Sequence, residues 1–320
     1  MEVEGRAGRA ANAGTERSGA EGDPGVRYKG VLDELENRVI GKSGDRKTKS
    51  LPRRRGDAEK NLDSATSTKH VTVDALDSVG RITLTHPSLN VIDFQMMDEL
   101  LAALQQLEQH KEVSVVIISG GDRAFSAGVD VAVHTPELVQ TMLQKFHGVI
   151  LALVKFSKIT IAEVHGACLG GGAELAMVCD MCFTTPDAKW GFPEITLGCY
   201  PPVACTALAA LVGQKRAADL VFTGRTFSGK EAAAWGLANE AHPEDELQQA
   251  IQRTVDHLLK LSPAALAVAK KAFYAWDSMH LDKGLARAEK IYLEELMQTE
   301  DVKEGIAAWI EKRKPVWKGK

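Results

Sequence analysis

Polar and apolar residues alternate with a period of two at Val71-Thr72-Val73 and again at Arg81-Ile82-Thr83-Leu84, with Gly80 between them. That spacing predicts two short strands joined by a turn. Phe94, Met97, Leu100, Leu101, Leu104 and Leu107 then recur at helical spacing, and the apolar run Val113 to Ile118 predicts a strand ahead of Gly120-Gly121. A second helix is expected over Pro136 to Val154, followed by a strand at Thr160 to Val164. The glycine run Gly170-Gly171-Gly172 opens a helical stretch over Ala173 to Val178, and a strand follows near Cys182 to Thr185. Strands and helices alternate throughout, which predicts an α/β layered core. From Pro243 onward the pattern is helical only, over Leu247 to Leu261, Pro263 to Ala275 and Lys283 to Met297. An appended helical piece of that kind suits subunit contacts.

The segment before this core reads differently. Residues 1–66 are rich in Gly, Arg, Glu and Ala with little periodic apolar signal, apart from a short helical stretch over Val31 to Ile40. The expected organisation is a disordered extension over 1–66, a core over 67–242 and a helical region over 243–320. Arg53-Arg54-Arg55 could touch RNA or acidic lipid, but mixed charges around it favour a solvated tail. A formal net charge of −4 argues against a dedicated nucleic-acid surface, and no apolar run reaches membrane-spanning length. The first residues lack the charged-then-apolar order of a secretory signal, so the expected location is cytoplasmic. Five cysteines, an odd number, sit mostly in apolar surroundings and read as reduced, packed thiols. Cys179 and Cys182 have metal or redox spacing but lack a second pair, and the nine histidines show no metal motif. No metal is implied.

Candidate chemistry centres on two glutamates. Glu174 closes Gly170-Gly171-Gly172-Ala173-Glu174, and Glu194 follows Pro193 in Trp190-Gly191-Phe192-Pro193-Glu194. Paired carboxylates serve acid/base chemistry, while a glycine run at a helix start lets backbone N–H groups approach developing negative charge. Taken singly, Glu174 also reads as an acid favoured by the helix dipole, and Glu194 as a solvated loop residue. Trp190, Phe192 and Tyr200 lie near Glu194 in sequence and are candidates to wall a pocket, or to pack the core.

These motifs carry a resemblance. Phe125-Ser126-Ala127-Gly128-Val129-Asp130, His165 through Ala176 across the glycine run, and Phe192-Pro193-Glu194 with Leu197-Gly198 resemble the crotonase, or enoyl-CoA hydratase/isomerase, superfamily over residues 69–320. The resemblance implies a crotonase-like spiral of ββα repeats with a helical C-terminal trimerisation region, assembled as a homotrimer or a dimer of trimers. It implies an acyl-CoA substrate and no cofactor beyond the coenzyme A of that thioester; the absence of a membrane or nucleic-acid partner is expected from the charge and hydropathy instead. It places the thioester oxygen between the backbone N–H groups of Ala127 and Gly171, an arrangement that holds the enolate oxygen. By the same resemblance Glu174 activates water and Glu194 exchanges a proton with the carbon beside the carbonyl. Asp130 reads as structural, bonding local backbone.

Departures bear on the substrate. Many short-chain hydratases continue past the Pro-Glu motif with a glycine-rich run, whereas here Tyr200-Pro201-Pro202-Val203-Ala204 stands, which predicts a reshaped acyl pocket. Ala132 stands where many relatives have a lysine near the CoA moiety. This run, with Ala127 to Val131 and His134-Thr135-Pro136, most resembles hydratases of cyclohexa-1,5-dienecarbonyl-CoA, which act in anaerobic benzoyl-CoA breakdown. The alternatives are a general enoyl-CoA hydratase or isomerase and, in another class, a non-catalytic or RNA-binding member.

Overall fold

The computed structural model describes residues 69–87, 89–274 and 277–320. The expected extension over 1–66, with its short helix, lies outside these residues.

The chain enters through the hairpin its alternation predicts. Strands β1 (Val71–Leu76) and β2 (Val79–Leu84) pair antiparallel, Val71 opposite Leu84. Asp77 turns the corner at φ 54°, a conformation Asp tolerates better than most residues. Strands β3 (Val115–Ser119), β4 (Ile159–Val164), β6 (Met181–Thr184) and β9 (Glu240–Ala241) extend the sheet in the order β1-β2-β3-β4-β6-β9, with every pairing after the hairpin parallel. A second sheet joins β5 (Ala167–Leu169), β7 (Lys189–Gly191) and β8 (Thr226–Ser228), with β5 and β7 parallel.

Both faces of the large sheet are covered, which explains why β3 and β4 are apolar at almost every position. One face meets α1 (Phe94–Gln109), whose Met97, Leu100, Leu104 and Leu107 are buried, and α2 (Val139–Lys155) packs on α1. Asp93 caps α1 by accepting from Met96 N at 2.8 Å. On the other face Val115, Ile117, Ile159, Ile161 and Phe183 pack against Leu247, Ile251, Val255 and Leu258 of α7 (Glu244–Leu258).

Between the sheets and the C-terminus lie α3 (Gly171–Met177), α4 (Pro202–Val212), α5 (Gln214–Thr223) and α6 (Gly229–Ala234). The chain ends with α8 (Pro263–Phe273), α9 (Asp277–Glu294) and α10 (Glu300–Ile310). The C-terminal helices do more within one chain than subunit contact would require. Besides the face that α7 covers, Lys270 of α8 is buried and bonds Asp180 Oδ2 at 2.7 Å and Lys158 O at 2.8 Å. Helix α9 packs on α4 and α2. No helix among the described residues is long and apolar enough to cross a membrane.

Candidate active site

The two glutamates are brought together by the second sheet. Glu174 lies in the first turn of α3, directly after β5, and Glu194 lies in a short 3-10 turn (Pro193–Leu197) directly after β7. Because β5 and β7 are parallel neighbours, their C-terminal ends open into one space, and Gly170 N donates to Gly191 O at 2.9 Å across that end. Ligand sites in parallel sheets favour this end. The loop Phe125 to Asp130 closes the other side: Ser126 N donates to Ala167 O at 2.9 Å and Leu169 N to Ser126 O at 3.0 Å.

The glycines are required by crowding. Gly170 has φ 51°, and a Cβ there would stand 2.8 Å from Glu194 Oε1; one on Gly171 would stand 2.6 Å from Val129 Cγ2. Gly171 is the first residue of α3, so its N–H has no acceptor within the helix.

Glu174, Glu194, Gly171 and Tyr200 line a single cavity, with Val129, Met142, Leu143, Phe146 and Leu197 among its apolar walls. Glu174 is 2% exposed, and its Oε1 accepts from Ala204 N at 2.9 Å. That N–H belongs to the first turn of α4, where Pro202 stands at the first helical position. The two prolines supply no N–H themselves, so the first available donors of α4 are Val203 and Ala204, and both act on Glu174. The Pro-Pro-Val-Ala run therefore holds a site carboxylate.

Burial pushes the Glu174 carboxyl up to about 7, against the partial opposition of the Ala204 and Val203 N–H groups. Burial, then the nearby Glu174 charge, pushes Glu194 well above the usual carboxylate range. Glu194 Oε2 is buried without a hydrogen-bond partner. Two carboxyls with displaced affinities suit a base and an acid acting together at neutral pH.

Other sequence candidates separate. Trp190 and Phe192 take the core alternative: neither lines the cavity, both are fully buried, and Trp190 Nε1 donates to Thr184 Oγ1 at 3.1 Å while its ring stacks on Phe227. Tyr200 does line the cavity and donates its hydroxyl to Ala288 O. Ala127 stands in the expected loop, but its N–H donates to Leu89 O at 2.9 Å and it does not line the cavity, whereas its neighbour Gly128 does. Asp130 Oδ1 accepts from Ala132 N at 3.0 Å, a local bond as expected. Cys168, Cys179, Cys182 and Cys199 are buried free thiols, but Cys205 is exposed, because it sits on the outer face of α4.

Sequence spacing missed several residues. Asn90, 3% exposed, donates to Gly120 O and Ala124 O at 2.8 Å and accepts Ser126 Oγ on its carbonyl at 2.7 Å, bracing the loop that carries Ala127. His147 and Tyr292 also line the cavity without belonging to any motif, as does His134, which the resemblance includes without giving it a role. Among the described residues, His70, His86 and Asp93 place ligand atoms within 4.8 Å of one another and could hold a metal, although none lines the cavity and Asp93 already caps α1 and bonds His70.

The sequence profile of the enoyl-CoA hydratase/isomerase family matches residues 74–320. The chain is 32% identical over 259 residues to cyclohexa-1,5-dienecarbonyl-CoA hydratase of Thauera aromatica, spanning 81% of this chain and 100% of that protein. It is 36% identical over 249 residues to a probable enoyl-CoA hydratase of Rhizobium meliloti, spanning 77% and 96% of the two chains. An enoyl-CoA hydratase structure from Mycobacterium avium subsp. paratuberculosis superposes with a TM-score of 0.70 at 26% identity, covering 78% of this chain and 98% of that one. With the motifs, the fold and the profile in agreement over the same residues, the chain belongs to the enoyl-CoA hydratase/isomerase, or crotonase, family.

Proposed function

We propose that this chain is a hydro-lyase that adds water to a conjugated acyl-CoA thioester, with cyclohexa-1,5-dienecarbonyl-CoA as the preferred substrate. The observation that carries the reading is a pair of carboxyls on one cavity, Glu174 buried and Glu194 with a buried Oε2, each displaced upward. The choice of a cyclic diene rests on the likeness to the Thauera aromatica hydratase and on the Tyr200 to Ala204 run.

In this reading the Ala204 and Val203 N–H groups fix one face of Glu174, and the remaining carboxylate oxygen takes a proton from water. The water oxygen bonds to the electrophilic carbon of the conjugated system, and the π electrons move onto the thioester oxygen as an enolate. The Gly171 N–H receives that oxygen, and the Ala127 N–H does so by exchanging Leu89 O for it. One such donor is worth about a hundred- to thousandfold in rate elsewhere. Glu194, protonated at neutral pH, then delivers its proton to the carbon beside the carbonyl, and the enolate electrons form that C–H bond. No group beyond the thioester's own coenzyme A enters these steps. The same reading takes the active form to be a trimer or a pair of trimers.

The test is incubation of the purified protein with cyclohexa-1,5-dienecarbonyl-CoA and, separately, crotonyl-CoA, with products identified by mass spectrometry. A water adduct formed mainly from the cyclic diene is the expected result. Preference for crotonyl-CoA would make the chain a general enoyl-CoA hydratase, and no adduct from either would overturn hydration.

A further inference from the structure

The cavity holds two polar side chains that the hydration steps leave unused. His147 of α2 has a side chain 4% exposed; its Nδ1 lies 3.0 Å from Glu289 Oε2, and its Nε2 is buried without a partner. Tyr292, 1% exposed, also buries its hydroxyl, with the Cys199 thiol as its weak neighbour and no oxygen or nitrogen partner among the described residues. Both residues line the same cavity as Glu174 and Glu194. Glu289 and Tyr292 stand three residues apart on α9, hence on one face of that helix, the face that meets α2 at His147.

Such atoms are costly in an apolar pocket. Each buried polar atom left unpaired costs about 1–3 kcal/mol, so a purely hydrocarbon acyl group would leave the wall unsatisfied. The pair is also chemically complementary. With the Nδ1 proton directed at Glu289, a neutral imidazole presents Nε2 as an acceptor, and burial, outweighing Glu289, favours that neutral form. The Tyr292 hydroxyl can donate. A donor and an acceptor on the wall of one cavity match an alcohol, which accepts at oxygen and donates its hydrogen.

We propose that His147 and Tyr292 form a hydroxyl-binding subsite, and that the acyl group this protein favours carries a hydroxyl beyond the carbons that Glu174 and Glu194 handle. The Tyr292 O–H donates to that hydroxyl oxygen, and the hydroxyl hydrogen is donated to His147 Nε2, while Glu289 positions the imidazole. The inference rests on the acyl-thioester reading of the cavity and narrows its substrate class.

The test compares two thioesters that are not turned over, cyclohexanecarbonyl-CoA and 4-hydroxycyclohexanecarbonyl-CoA, by calorimetric titration of the full-length protein. The wild type should bind the hydroxylated ring about tenfold tighter, the worth of one net hydrogen bond. Tyr292→Phe, which keeps the ring shape, and His147→Gln should each remove that preference while leaving the affinity for cyclohexanecarbonyl-CoA within about twofold, since only the hydroxyl contact is lost. Equal affinity of the wild type for both thioesters would mean that water alone fills the subsite and would overturn the proposal. So would variants that keep the preference. Failure of the wild type to bind either thioester would instead overturn the acyl-CoA reading itself, and this subsite with it.

Discussion

At the residue scale the site turns on two carboxyl affinities held above their ordinary range. Burial displaces Glu174 up to about 7, and burial, then the Glu174 charge, raises Glu194 well above the usual carboxylate range. Catalysis needs Glu174 ionised and Glu194 protonated, so kcat/KM should climb as pH rises through about 7 and fall again in more alkaline solution as Glu194 ionises. Glu174→Gln should lose that lower limb and about 10²–10⁴ of the rate, read by initial-rate kinetics across pH. An unchanged profile in this variant would remove Glu174 from the base role. The same displacement has a cost in stability. A carboxyl whose folded affinity is raised keeps its proton between about 4.5 and about 7, while the unfolded chain gives its proton up. Stability therefore falls as pH rises across that window and levels off above it. At ~1.4 kcal/mol per pH unit the loss approaches about 3 kcal/mol, so Glu174→Gln should melt higher than the wild type at pH 8 and converge with it near pH 4.5.

At the element scale, what was legible in the sequence followed from local periodicity. The hairpin, α1, β3, α2, α7 and α8 announce themselves by spacings of two or three to four, with bounds a few residues off at the ends, while α9 begins six residues before the expected Lys283 and α10 is not marked as a separate helix. What periodicity does not carry is which elements meet. The tie between α8 and β4 is an example. Lys270 and Asp180 are ninety residues apart, yet Lys270 Nζ, Asp180 Oδ2, and the N–H and hydroxyl of Thr160 form one buried network. A lysine in a helical pattern reads as solvated surface, and only the packed structure makes it an anchor. Lys270→Ala leaves the Asp180 carboxylate buried without its counter-charge and should cost about 3–5 kcal/mol by urea unfolding. The double variant Lys270→Met with Asp180→Leu should recover part of that loss, because no charge then remains buried. Equal destabilisation of both variants would show that the contact matters for packing rather than for charge.

At the scale of the whole molecule, the two carboxylates and the Gly171 backbone that the sequence singled out do line one cavity, whereas Ala127 does not line it, and the far wall was not legible. Glu174 and Glu194 sit in contiguous motifs because each follows directly on a short strand of one sheet. His147 and Tyr292 come from α2 and α9, and nothing local marks either as part of a site. The C-terminal helices thus complete the cavity, and their outer surfaces bear on assembly. Phe222 on α5 and Val268 and Phe273 on α8 are each more than two-thirds exposed in a single chain. Single exposed apolar residues are ordinary, but Val268 and Phe273 on one helix that braces the core suit a covering partner. The expected mass in solution is three or six times the 34.6 kDa chain, measured by light scattering at micromolar concentration. Phe273→Glu should shift the equilibrium towards smaller species. Because α9 supplies Tyr292 to the cavity and α8 anchors the sheet beneath it, loosening these helices by dissociation should lower the specific activity together with the mass. A fully active monomer would separate the two, and would leave the exposed phenylalanines without a role in assembly.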